Sequence, residues 1–99
     1  MLRIGETLKA PVAPGGKRVT IDLQAELIRN QPVPFRLNVQ AGERLLAVWT
    51  PGRHRVWETI TLGPFDWPAG EPLVLAAYGP YPPGAPNGAI LDRVVMRWE

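Results

Sequence analysis

The sequence predicts an all-β fold, a two-layer antiparallel β-sandwich of the jelly-roll type with no significant helix. Three observations carry that prediction. Val19–Leu27 alternates apolar and polar residues without a fault over nine positions. Turn-forming Gly, Pro, Asn and Asp residues punctuate the chain about every eight to twelve positions, as in a sandwich of short strands. No stretch joins a helix cap to apolar residues at a period of 3.6.

In Val19–Leu27 a period of two places Val19, Ile21, Leu23, Ala25 and Leu27 on one face. On a helix the same residues would scatter around the circumference. After the Pro32-Val-Pro34 break, Phe35–Val39 repeats the alternation, and Gln40–Glu43 reads as a tight turn in which Gly42 supplies a positive φ. Arg44–Thr50 is apolar and bulky enough for a central strand, paired with 35–39 as a hairpin. Pro51–Arg55 is the next turn, and Val56–Leu62, rich in β-branched residues, is the next strand. Gly63–Gly70 reads as an aromatic-bearing loop and Leu73–Tyr78 as a strand. Gly79–Gly88 is a loop of Pro, Gly and Tyr, and Ile90–Trp98 is the closing strand. Residues 10–16 read as an N-terminal loop. Val19, Ile21, Leu23, Leu27, Leu37, Val39, Leu75 and Val94 are the expected core, with Trp49 the tryptophan expected inside.

At 99 residues, 45% apolar and 20% charged, the chain is one domain spanning 1–99 with one core. The net charge is +2 and the basic residues are interspersed with acidic ones, so no basic run points to nucleic acid or an anionic membrane. No run of 18 apolar residues occurs, and Met1–Glu6 lacks the apolar core of a signal peptide. Synthesis in the cytoplasm is therefore expected, with incorporation into a virus particle as a route outward. Nine arginines against two lysines, and twelve prolines placed mostly in loops, lean towards the composition of thermophile proteins.

The chain has neither serine nor cysteine and a single histidine, His54 between two arginines. That removes the commonest acyl-transfer nucleophiles and any multi-histidine metal site. The expectation is a non-enzyme without a cofactor. Candidate contact residues sit instead in the turns. Arg53 and Arg55 form a cationic tip that could clamp a carboxylate or phosphate, beside the plainer reading of a solvated hairpin turn, which is favoured. Phe65 and Trp67 present aromatic faces, and Tyr78 and Tyr81 are large, stiff, amphipathic side chains that are easily displayed. For Trp67 and Tyr81 a second reading stands beside the first: a lid closing the end of the core.

The pattern Trp57-Glu-Thr59, Pro68-Ala-Gly70 with Leu73 and Leu75, and Leu91-Asp92-Arg-Val94 resembles the C-terminal half of galactose-binding-like jelly rolls, the fold of many carbohydrate-binding modules. The resemblance covers about half of the chain. It implies the sandwich and, more distantly, sugar binding and a calcium ion near Asp92. The sequence departs from sugar-binding members where Ile90 and Leu91 stand in place of an asparagine before that Asp. It also lacks the paired acidic motif of calcium-binding members, since Glu6 stands alone.

Two functions follow as expectations. One is a structural or assembly module that docks on partner protein subunits through loops at the end of the sandwich. Such a module would be oligomeric and would suit a decoration or tail component of a virion. The chain's start at Met1, without linker or export signal, favours it. The other is a carbohydrate-binding module or adhesin that uses the loop aromatics.

Overall fold

The computed structural model describes residues 2–3, 5–12, 17–28, 35–50, 56–79 and 88–99. Eight strands form: β1 (Leu2–Arg3), β2 (Thr7–Ala10), β3 (Arg18–Ile28), β4 (Arg36–Ala41), β5 (Arg44–Trp49), β6 (Trp57–Asp66), β7 (Leu73–Tyr78) and β8 (Gly88–Trp98). They build two four-stranded antiparallel sheets, ordered β1-β8-β3-β6 and β2-β7-β4-β5. Of the seven connections, only β4–β5 stays within a sheet; each of the others crosses to the opposite layer. Eight strands interleaved this way make a jelly roll.

The core is the set of inward residues that period-two alternation selects. Val19, Ile21, Leu23, Ala25 and Leu27 of β3 are fully buried against Leu37, Val39, Leu75 and their neighbours. Val94 is partly buried and packs on that cluster, and Trp49 is buried within it. The polar residues between them on β3 face outward. There the Thr61 hydroxyl donates to Asp22 Oδ1 at 2.9 Å, while Arg97 donates through Nε to Oδ2 at 2.7 Å and through Nη2 to Oδ1 at 3.2 Å. This cluster ties β6, β3 and β8 together across the outer face.

The hydrogen bonds from Arg97, and then that from Thr61, hold the Asp22 carboxyl below its ordinary value of 3.8, against a smaller opposing effect of burial. A carboxylate with a depressed folded pKa contributes stability above the ordinary value and loses it as pH falls through the lower folded value. The melting-temperature difference between the wild type and Asp22→Asn should therefore be steady near neutral pH and close in acid. A difference that persists to the lowest pH at which the protein folds would refute the assignment.

Three expectations need correction. Arg44–Thr50 was expected as a central strand, yet β5 is the edge of its sheet. Its apolar character divides between inward Ala47 and Trp49 and outward Leu45 and Val48, and composition alone does not separate those faces. Gly63–Asp66 was expected as loop but continues β6 through a bulge. Val19 pairs with Phe65 and Ile21 with Leu62, so one extra residue is accommodated there, with Gly63 at φ 105°. Ala10 was assigned to an N-terminal loop but ends β2, and β1 and β2 were not foreseen as strands, being too short to show a period. The β4–β5 turn is as expected, with Gly42 at φ 58°. The break expected at 32–34, the turn expected at 51–55 and most of the loop expected at 79–88 lie outside the described residues.

Candidate functional site: the two ends of the sandwich

The registers give the sandwich two different ends. At one end, Ile28 pairs with Gly88, Glu26 with Trp57, Arg36 with Tyr78 and Leu37 with Trp49. The bond from Gly5 N–H to the Ala77 carbonyl, 2.9 Å, brings the β1–β2 step to the same end. The β1–β2, β3–β4, β5–β6 and β7–β8 connections therefore all start and finish here. The opposite end holds the β2–β3, β4–β5 and β6–β7 connections and the C-terminal strand end.

That opposite end is capped by two tryptophans, beside a cleft of about 280 Å³ lined by Pro11, Leu73, Val94, Met96 and Trp98. Trp67 stands edge-on to Trp98 with ring centroids 6.3 Å apart, and both rings pack on the core. The Trp67 indole N–H donates to the Glu71 carbonyl at 3.1 Å, and its backbone N–H donates to the Lys17 carbonyl at 2.9 Å. The Gly42 N–H donates to the Pro72 carbonyl at 2.8 Å and the Glu99 N–H to the Arg18 carbonyl at 2.9 Å. Backbone groups at this end thus bond to one another, and the aromatic rings cover the apolar layer beneath them.

The first end has a different surface. Four of the eight large apolar side chains that are exposed among the described residues ring it: Val56, Trp57, Tyr78 and Ile90. Trp57 is 47% exposed and Tyr78 43%, high values for large rings at the ends of regular strands. The Arg36 guanidinium lies over the Tyr78 ring at 5.0 Å from its centroid, a cation–π contact. Beside that pair opens a cleft of about 400 Å³ lined by Phe35, Arg36, Thr50, Tyr78 and Gly79.

Of the contact residues expected from the sequence, Phe65 and Trp67 are at the tryptophan-capped end, partly buried against the core, with Phe65 in a strand rather than a loop. Arg53, Arg55 and Tyr81 lie outside the described residues. The strands that flank them finish at the exposed end, along a molecule whose longest extent is 40 Å. Tyr78, expected with Tyr81 as a displayed aromatic, is exposed at this end, whereas Trp57 and Ile90 are not among the contact residues the sequence suggests. Their signal was available: an aromatic or branched residue next to a turn, on the parity opposite to the core face. Asp92 is exposed where a register shift in β8 leaves it unpaired with β3, and no group of three or more potential metal ligands occurs among the described residues. The chain matches no family model, no curated protein and no solved structure.

Proposed function

We propose that this domain is a non-catalytic assembly module that docks on partner protein subunits through its exposed end, as a decoration or tail component of a virus particle does. One observation carries the reading: the polarity of the sandwich. One end is capped by packed tryptophans and backbone hydrogen bonds, with a smaller cleft beside Trp98, while the other displays Val56, Trp57, Tyr78 and Ile90 around the strand ends. Exposed aromatic and branched residues on a rigid frame supply contact area at little conformational cost. The sequence adds Arg53 and Arg55 to the β5–β6 connection and Tyr81 to the β7–β8 connection, so the partner surface is apolar with acidic groups.

Hydroxyl-radical footprinting tests this reading by comparing the free domain with the native assembly from the producing cells. Trp57 and Tyr78 should be protected in the assembly and Trp67 unchanged. Trp57→Ala should fold normally and weaken docking by about 1–2 kcal/mol or more, the hot-spot scale. Equal labelling of Trp57 in both states would refute the docking end.

The cleft favours a second reading, carbohydrate binding. Tyr78 offers an exposed ring, Arg36 and Thr50 offer donors, and buried Phe35 forms the apolar floor of the same opening. Jelly rolls occur both in viral capsids and in lectins, so the fold does not choose between the two. A chain that sediments as a free domain and binds on a glycan array, with binding lost in Tyr78→Ala, would move the assignment to this alternative.

A further inference from the structure

A jelly roll leaves four sheet edges, and edges are where strands from another chain add unless something blocks them. Here β1 is two residues long, and β2 is four residues long and carries Lys9. β6 carries Pro64, which has no N–H, a bulge at Gly63–Pro64, and an inward-pointing Glu58 opposite Ala25. Each of these features blunts an edge. β5 has a bulge too, at Leu46, but among the described residues its edge carries neither charge nor proline from Leu45 to Trp49. Leu45 is 52% exposed and Val48 45%.

β5 also fits itself. In the β4–β5 ladder Val39 pairs with Ala47 and Gln40 with Leu45, so Leu46 is the extra residue of a bulge. The bulge brings Leu45 and Val48, three positions apart, to the same outer face, since their partners Gln40 and Asn38 both face outward. Consider two copies of β5 antiparallel about a two-fold axis between Leu46 and Ala47. Leu45 of each copy then lies opposite Val48 of the other, and Arg44 lies opposite Trp49. Outward Leu45 and Val48 meet in two pairs that flank the bulge residue Leu46 and Ala47, and no like charges face each other. Shifting the register by one residue would set Leu45 against Ala47 or Trp49, which face inward, so the parity of the sheet disfavours those alternatives.

We infer that the domain pairs with a second copy of itself through the free edge of β5, joining two four-stranded sheets into one of eight strands. The contact is isologous: the same edge serves in both copies. It uses a surface different from the docking end and does not rest on that reading.

The absence of cysteine makes the test clean. Chains carrying Leu45→Cys and Val48→Cys, distinguished by a mass tag, are mixed and oxidised mildly. Directly opposite Cβ atoms in an antiparallel pair lie about 4.5–5.5 Å apart, within reach of a disulfide. Two Leu45 positions would be offset along the strands by about 10 Å. The mixed disulfide should therefore form in excess of both homodimers. Homodimers in equal or greater amount would overturn the register. Sedimentation velocity from micromolar to millimolar concentration should show a reversible dimer of the wild type. Val48→Lys should raise its dissociation constant about tenfold or more, because the Leu45–Val48 pair is lost at two places. Circular dichroism on the same samples confirms that the variants fold. A wild type that stays monomeric throughout, or a dimer indifferent to Val48→Lys, would overturn the inference.

Discussion

Replacing Leu23 with alanine should lower the unfolding free energy by about 2–5 kcal/mol, the range for a fully buried leucine. Leu23 is wholly inaccessible and sits at the middle of β3, opposite Ile60 of β6 and Val94 of β8. Its side chain faces the second sheet, so truncation leaves a cavity between layers that cannot close without shifting strands held on both flanks. For a domain whose whole stability is about 5–15 kcal/mol, that is a large fraction. Urea denaturation should show a lower midpoint with an unchanged slope. A loss under about 0.5 kcal/mol would mean that the inward face of β3 is wrongly assigned.

Trp67→Ala should have the next largest effect, about 2–3 kcal/mol, below the 3–5 typical of a fully buried aromatic because the ring is only partly covered. The change removes the edge-on contact with Trp98, the apolar cover that the ring gives the core, and the indole bond to Glu71. Of the two roles that the sequence left open for Trp67, the geometry matches the lid. A lid residue lowers the melting temperature and leaves binding per folded molecule alone. A contact residue does the reverse, so measuring both quantities on this variant separates the roles. Full stability with impaired docking would return Trp67 to the contact surface.

The tryptophan-capped end also shows what sequence reasoning reads well and what it reads poorly. Trp67 lies between Asp66 and Pro68, and a tryptophan in a Pro-rich turn has the same local signature whether it covers a core or meets a partner. The difference lies in Trp98, thirty-one positions away, and in Lys17, fifty positions away, which the fold brings to it. Tyr78 and Trp57 illustrate the converse. Each lies at a strand end, where alternation assigns a face but not its exposure, and exposure follows from what the neighbouring strands place beside it.

By itself the sequence determined the all-β class, the buried face of β3, most core positions and the β4–β5 turn. These depend on side-chain parity and local backbone geometry, which act within a few residues. It also determined the scarcity of catalytic nucleophiles, since that is composition. Only the tertiary structure decided that Leu45 and Val48 lie on a sheet edge, that β6 runs on through Gly63 and Pro64, and that Trp67 is at the opposite end from Trp57. Those facts depend on which strands neighbour one another. In a jelly roll six of the seven connections cross between layers, so neighbours in space are mostly distant in sequence and no local pattern encodes them.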